Sequence, residues 1–162
     1  MKIPQLDTLP DIFNGYYQKH AEILLRSYHY WTGKELIVGN QDTSETAYRL
    51  YTVPFAVVSH GTEADPIFNY GNATALDLFE MSWSDFISMP SRKSAQPVNR
   101  TQREKLLATV TERGYFDSYE GVRISATGRR FLITGAVVWN LLDRSGNYCG
   151  QAACFDDWSF IP

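Results

Sequence analysis

The stretch PFAVVSHGTEADPIFNYGNATALDLFEMSWSDFISMPSR, residues 54–92, decides the fold. Residues 55–58 form a short apolar strand, and the polar residues 60–66 predict a turn. A second short strand, residues 67–70, runs into Gly71 and Asn72. Asn72 stands where a helix N-cap is needed, and Ser82 begins a further short helix. The order is therefore strand, turn, strand, Asn-capped helix and short helix.

Residues 1–40 predict a helix ahead of this stretch. Asp11 follows Pro10 as an N-cap, and Gly33 fits the position after the helix end. The residues at helical spacing form one stripe: Ile12, Tyr16, His20, Ile23, Leu24, Ser27 and Trp31. Such a stripe must pack either on the sheet of its own domain or on a second subunit.

Two capping signatures predict further helices. Residues 42–45, DTSE, open a short helix that ends before Pro54. Residues 101–104, TQRE, open a longer helix that ends at Gly114. Residues 89–99, which contain two prolines, predict a loop.

From Tyr115 onward the hydrophobic period changes to two. Strands are predicted at residues 115–126, 130–142 and 148–155. In the middle strand, alternation puts one set of apolar residues on a common face: Phe131, Ile133, Val137, Trp139 and Leu141. The predicted fold class is α+β, a five-stranded antiparallel sheet with helices on one face plus N-terminal helices. Residues 1–40 are the helical extension and residues 41–162 the domain.

Composition narrows the class of protein. The chain has 162 residues, of which 44% are hydrophobic, enough for one core. A net charge of −3 favours neither nucleic acid nor a membrane surface as partner. No apolar run suits a signal peptide or a membrane span, so we expect a cytoplasmic protein. Cys149 and Cys154 point to opposite faces of one strand and are expected to be reduced thiols.

Four blocks of the sequence resemble the MEKHLA domain, which is similar to PAS domains. They are FNYGNATALDLFEMSW, MPSRKSAQPVNR, GVRISATGRRFLITGAVVWNLLD and NYCGQAACF. The resemblance covers about residues 48–158, although the six letters that name the family are absent. It implies a PAS-like fold and a sensory or regulatory role, but it supplies no ligand and no activity.

MEKHLA domains occur at the C-terminus of plant class III homeodomain–leucine zipper regulators and as small free-standing proteins. This sequence shows no zipper heptads and no homeodomain ahead of the domain, so it resembles the free-standing form.

The chain also resembles light–oxygen–voltage flavin sensors, a PAS subclass. Ser91 stands where that subclass has its adduct-forming cysteine, while Arg92 and Gln96 agree with its pattern. The positions matching its flavin-holding strand residues are Ser125, Thr134 and, one residue out of step, Gln151. Without the thiol no cysteinyl–flavin adduct forms at that place. Flavin is therefore not expected, and the ligand stays unidentified.

No residue pattern predicts catalysis or metal binding. Ser59 and His60 are adjacent in a strand, so their side chains point to opposite faces and cannot pair with each other. Neither His20, His29 nor His60 has metal-ligand spacing to other ligands. Glycine-rich phosphate loops are absent from the sequence.

Two groups of residues are candidates for binding. The first is a basic run, which could bind an anionic group of a ligand or partner or could form a solvated loop and helix face: Arg92, Lys93, Arg100, Arg103 and Lys105. Aromatic side chains could line a pocket or fill a core: Tyr70, Trp83, Phe86, Tyr115, Tyr119, Trp139 and Phe155. The candidate ligand-binding set is Tyr70, Trp83, Phe86, Arg92, Gln96, Tyr119, Trp139 and Gln151.

The leading hypothesis is a non-enzymatic PAS-like module that binds a small ligand or a protein partner between helices and sheet. Homodimerisation through the N-terminal helix or the sheet face is expected by analogy with PAS-type sheets. A flavin photosensor is the second hypothesis. A small enzyme is the third, and it predicts a carboxylate or histidine with a strongly shifted pKa inside the cavity.

Overall fold

A computed structural model describes residues 9–39 and 43–162 of the chain. The helices in this part are α1 (Gln18–Thr32), α2 (Ser44–Thr52), α3 (Ala73–Phe79), α4 (Trp83–Phe86) and α5 (Pro97–Arg113). Two 3-10 turns occupy Ile12–Tyr17 and Ser91–Ser94. The strands are β1 (Ala56–His60), β2 (Phe68–Gly71), β3 (Tyr115–Ile124), β4 (Arg130–Leu142), β5 (Tyr148–Phe155) and β6 (Asp157–Phe160).

The described strands form one antiparallel sheet in the order β2-β1-β5-β4-β3. This confirms the predicted α+β class, with β4 and β5 at their predicted bounds. The short strand β6 was not predicted. It pairs with the first half of β4, where Phe131 faces Phe160, whereas β5 pairs with β4 only from Val137 onward. A sixth strand therefore extends the line of β5 after the break at Asp156.

The N-terminal helix starts later than its periodicity predicts. Gly15 and Tyr16 have left-handed backbone angles, so α1 begins only at Gln18. Oδ1 of Asp11 nevertheless accepts the N–H of Asn14 at 3.1 Å, as expected of a cap. Gly33 ends α1 as predicted, with φ of 72° and its N–H bonded to the carbonyl of His29 at 2.8 Å.

The caps of α2 and α5 differ in position from the predicted ones. Thr43 caps α2 and accepts the N–H of Thr46, whereas Asp42 lies outside the described residues. The prediction that α5 starts at Thr101 was wrong, because the helix already begins at Pro97. Proline has no N–H to leave unsatisfied and its fixed φ suits the first helical position. The predicted loop therefore holds a 3-10 turn and the first turn of α5.

A bulge in β4 reverses the predicted face of its second half. Tyr119 pairs with Ala136, whereas Gly121 pairs with Ile133, so β4 carries one extra residue between the two pairs. Gly135, at this point, has φ of 67°, which glycine adopts without strain. The prediction that Ile133 and Trp139 share a face was therefore wrong, since the extra residue changes the alternation.

Helices cover both faces of the sheet. Nε1 of Trp139 donates to the carbonyl of Leu24 in α1 at 3.2 Å. Nδ2 of the next residue, Asn140, donates to the carbonyl of Val110 in α5 at 2.9 Å. Since neighbouring strand residues point to opposite faces, α1 covers one face, here called the outer face, and α5 covers the inner face. Of the two packing alternatives, the structure shows α1 on the sheet of its own chain.

Asn72 joins the two halves of the opening motif, as its predicted capping role requires. Its Oδ1 accepts the N–H of Ala75 at 3.1 Å in α3 and the N–H of Val57 at 3.0 Å in β1. Its Nδ2 donates to the carbonyls of Leu50 at 3.1 Å and Phe55 at 2.9 Å. The side chain is fully buried, so these four bonds fix α2, β1 and α3 to one another.

Candidate ligand-binding cavity

A cavity lies between the inner face of the sheet and α5. Its apolar walls come from both layers: Val58, Phe68, Phe79, Leu106, Leu107, Ile133, Ala136, Val138 and Phe155. Its larger polar side chains converge from four elements: His60, Arg103, Tyr119, Arg123 and Gln151. Ser59 and Ser94 also belong to its wall. An apolar pocket with a few convergent polar groups is typical of a small-molecule site.

The cavity is small. The space open to the centre of a water molecule is about 60 Å³. One water needs on the order of 10–15 Å³ on this measure. The cavity therefore suits a handful of waters or a ligand with a short body, and the three-ring system of a flavin is too large for it without movement of the walls.

A directed chain of hydrogen bonds crosses the polar end of the cavity. Nε2 of Gln151 donates to the carbonyl of Leu107 at 3.1 Å, which leaves its Oε1 as an acceptor for Nε2–H of His60 at 3.2 Å. Nδ1 of His60 is then an acceptor, 2.9 Å from Oγ of Ser91. Ser91 in turn accepts from Nη2 of Arg103 at 2.6 Å. Nε2 of Gln151 also lies 3.0 Å from Oγ1 of Thr111 and 3.1 Å from Oδ1 of Asn140, both acceptors, so the amide is oriented with its oxygen towards His60 and the imidazole is held as a single tautomer.

Burial keeps His60 neutral. Removal of the imidazole from water lowers its pKa to about 4, and the nearby charge of Arg103 acts in the same direction. The hydrogen bond to Gln151 and the charge of Glu63 oppose this shift. At neutral pH the cavity therefore contains an uncharged imidazole.

Arg103 stays charged at neutral pH although it is buried. Its residue is 7% exposed, and burial followed by repulsion from Arg123 lowers its pKa to about 10. Arg123 lies over the ring of Tyr119, 5.2 Å from the centroid. Among the described residues neither arginine forms an ion pair, and the cavity walls contain no aspartate or glutamate.

His60 and Ser91 form a base–hydroxyl pair that the sequence did not predict, because the two residues are 31 positions apart. The hydroxyl of Ser91 is 1% exposed and is not part of the cavity wall. Its proton goes to His60 and its lone pair accepts from Arg103. The serine therefore positions its neighbours and is screened from any molecule in the cavity.

The cysteines and histidines of the described residues form no metal cluster. Cys149 and Cys154 are both buried and unbridged. Burial raises their pKa values to about 11 and about 12, so both are protonated thiols at neutral pH.

Only part of the predicted ligand-binding set lines the cavity. Tyr119 and Gln151 do so. Trp139 instead packs on the outer face, with its ring 5.0 Å from that of Tyr28. Tyr70 and Trp83 lie 5.9 Å apart, and Trp83 stacks on Tyr17 ahead of α1.

The other predicted positions lie around the cavity without reaching it. Phe86 stacks on Phe68 at 4.2 Å within the core. Arg92 forms a surface ion pair with Asp65 at 3.1 Å, and Gln96 precedes the first turn of α5. Of the flavin-sensor positions, Ser125 donates to Glu80 at 2.7 Å near the end of β3, away from the cavity.

The structure places Arg103 and His60 in the cavity wall, whereas the sequence indicated Arg103 only as one member of a basic run and gave His60 no binding role. One signal in the sequence could have identified Arg103. It lies three and four positions before Leu106 and Leu107, so a charged residue occupies the apolar stripe of α5. His60 gave no such signal, because the sequence placed it where a strand ends and a turn begins.

The five-strand PAS order, the short helices α3 and α4 and an inner-face cavity define a PAS-like α+β domain. The chain belongs to the MEKHLA domain family, whose domain matches residues 18–160. It is 26% identical over 145 residues to the homeobox-leucine zipper protein HOX10 of Oryza sativa subsp. indica. That match covers 87% of this chain and 17% of HOX10, so the chain spans about a sixth of the length of its relative.

Solved PAS structures share this fold. A PAS domain from Colwellia psychrerythraea superposes with a TM-score of 0.60 at 15% identity, over 72% of this chain and 94% of that one. A light–oxygen–voltage domain studied with a flavin analogue superposes with a TM-score of 0.56 at 18% identity, over 76% of this chain and 89% of that one. A third structure is a PAS domain in complex with ethanol, from a LuxR-family regulator of Burkholderia thailandensis. It superposes with a TM-score of 0.52 at 13% identity, over 70% of this chain and 95% of that one.

Within residues 9–39 and 43–162, no helix has both the length and the hydrophobicity needed to cross a membrane.

Proposed function

We propose that this chain is a non-enzymatic sensory or regulatory module whose inner-face cavity binds a small molecule. The observation that carries this proposal is the cavity itself, in which apolar walls from the sheet and α5 meet the side chains of His60, Arg103 and Gln151. The ethanol complex of a PAS domain with the same fold supports a ligand of few atoms. Occupancy of the cavity would bind α5 more firmly to β4 and β5.

The output of the module is proposed to pass through the sheet to α1. The residues that line the cavity alternate along β4 with those that hold α1, as Val138 and Trp139 show. A shift of β4 on ligand binding therefore reaches both faces. A protein partner or a second copy would read this change at α1 or at the sheet, in the cytoplasm.

A small enzyme is the second candidate, since His60 is a cavity histidine with a strongly lowered pKa, as that hypothesis predicted. An imidazole with a pKa of about 4 is a weak base, however, and efficient general bases titrate near the working pH. No carboxylate of the described wall residues orients it. Binding without turnover is therefore the better account.

A flavin photosensor is less compatible with the cavity. The cavity is small for a flavin ring system, and Ser91 has a hydroxyl where a cysteinyl–flavin adduct needs a thiol. The purified protein is expected to be colourless, with no flavin released on denaturation. A flavin absorption band in the visible spectrum of the purified protein would support the photosensor instead.

Native mass spectrometry of freshly purified protein tests the proposed function. We expect a bound small-molecule mass that is lost from Ala136→Leu, because Ala136 is 1% exposed and lines the cavity. Ala108→Leu, at an exposed position of α5, is the matched control and should keep the ligand. Equal ligand occupancy in wild type and Ala136→Leu would place the bound molecule elsewhere and contradict the proposal.

A further inference from the structure

Two arginines share one small apolar cavity in which the described residues supply no counter-ion. Arg103 and Arg123 both line it, and the wall residues of the described chain include no aspartate or glutamate. Arg103 is nine-tenths buried and donates to the hydroxyl of Ser91, a neutral acceptor. A buried charge normally has an ionic partner, because an unpaired one is costly to remove from water.

The charges around Arg103 leave room for an anion. Repulsion from Arg123 adds to the effect of burial in lowering its pKa to about 10. Tyr119, Glu104 and Asp65 act in the opposite direction and more weakly. Glu104 is exposed and Asp65 is paired with Arg92, so neither neutralises the cavity from within.

We infer that the cavity takes a small monocarboxylate with a short apolar body, its carboxylate held by Arg103. This inference rests on the proposed function and specifies its ligand. The guanidinium matches a carboxylate in shape and charge, and Leu106, Leu107 and Val138 provide the apolar walls for the body. Inorganic phosphate fits poorly, since these walls cannot replace its hydration shell.

Butyrate and butyramide form the matched pair of probes, because they share shape and differ in charge. Binding is measured by the imidazole NMR signals of His60 and His20 in the full chain. His60 lines the cavity, whereas His20 belongs to α1 and contacts the outer face of the sheet, where its Nε2 lies 2.9 Å from Oγ of Ser59. We expect butyrate to shift the signals of His60 and leave those of His20 in place. Benzoate and benzamide provide a larger pair, and inorganic phosphate a test for unspecific anion binding.

Substitutions of Arg103 separate charge from shape. We expect wild type to prefer butyrate over butyramide by about ten- to a hundredfold, the range of a charge-assisted hydrogen bond. Arg103→Met should lose this preference while still binding butyramide, and Arg103→Lys should keep part of it. Arg113→Met removes one positive charge from an exposed position of the same helix and should keep the full preference.

Three results would overturn the inference. The first is equal affinity of wild type for butyrate and butyramide, and the second is an unchanged preference in Arg103→Met. The third is absence of any His60 response to both carboxylates. If wild type binds butyramide and Ala136→Leu does not, the proposed binding of a small molecule in the cavity is still supported. The proposal of a ligand-binding cavity and the inference of a carboxylate ligand can therefore fail separately.

Discussion

Asn72 shows how one local signal can be read correctly from sequence while its full role is not. Its capping bond to Ala75 was predicted from the residues that follow it. Its bonds to Val57, Leu50 and Phe55 depend on chain segments that only the fold brings together. The bond to Ala75 is predictable because its partner lies within one helical turn of Asn72. The bonds to Val57, Leu50 and Phe55 are not predictable, because those partners are distant in the sequence.

Asn72→Ala is expected to be strongly destabilising. The change removes the partner of the buried N–H of Val57, of the buried carbonyl of Leu50 and of the partly buried carbonyl of Phe55, at a total cost of roughly 3 kcal/mol or more in the free energy of unfolding. Ser82→Ala is the matched control, because Ser82 caps α4 at an exposed position and should cost about 1 kcal/mol or less. Urea unfolding measures both, and similar losses would show that the buried bonds of Asn72 contribute little.

His20 and His60 are expected to make stability depend on pH. Burial lowers both pKa values from 6.5 to about 4, so the unfolded chain binds more protons than the folded one in this range. The contribution of the two neutral imidazoles to the free energy of unfolding should therefore be fully present above pH 6.5 and be lost as the pH decreases towards 4. Between pH 7.5 and 5 we expect a loss of about 2 kcal/mol for each histidine.

Urea unfolding at a series of pH values from 7.5 to 5 measures this dependence, before the carboxylates begin to titrate. His20→Gln and His60→Gln should each remove about half of the decrease. His29→Gln, at an exposed position, is the control and should retain it. A wild-type stability that is constant across this range would contradict the burial of neutral imidazoles.

Strand β4 shows why an element can be predicted while its faces are not. Its bounds were predicted correctly from alternation alone. The bulge at Gly135 then moves the second half out of phase, so that Ile133 and Val138 line the cavity while Trp139 packs on α1. A glycine within a strand indicates that a bulge can occur, but the pairing partner decides whether it does.

Gly114, between α5 and β3, is expected to tolerate no side chain. It has φ of 102°, and an added Cβ would overlap the ring of Trp31 in α1. Gly114→Ala should therefore destabilise the protein by roughly 3 kcal/mol, from backbone strain and overpacking together. Gly135→Ala has φ of 67° but open space around the Cβ, so strain alone should cost about 1 kcal/mol.

A double-mutant cycle isolates the contact with α1. In a Trp31→Ala background, Gly114→Ala should cost at least about 1 kcal/mol less than in wild type, because the overlapping ring is gone. Chemical unfolding of the four proteins gives this coupling. Additive effects would mean that Trp31 moves aside without cost and that α1 does not restrict this turn.

The whole molecule places the candidate cavity and α1 on opposite faces of one sheet. The cavity occupies the inner face, and α1 occupies the outer face, where the predicted pocket aromatics Tyr70 and Trp139 are found. Sequence alone could not assign these aromatics to a face, because a residue buried under α1 and one beside the cavity have the same hydrophobic pattern. Of the predicted ligand-binding set, Tyr119 and Gln151 are the members that line the cavity, and their role in binding stays a prediction.

If α1 is the proposed output element, releasing it should change how the molecule associates. Leu24 is completely buried against the sheet, so Leu24→Glu places a charge in an apolar contact and should detach the helix. The uncovered outer face, which includes Trp139 and Leu141, would then bind a hydrophobic dye or a second copy. Lys19→Glu changes an exposed position of α1 and is the matched control.

Light scattering and dye fluorescence measure the two consequences together. We expect Leu24→Glu to show increased dye binding and a larger mean mass, with both values unchanged in Lys19→Glu. A folded Leu24→Glu protein that keeps the wild-type mass and dye signal would show that the outer face needs no cover. In that case α1 would not control association, and the output would have to leave the domain through another surface.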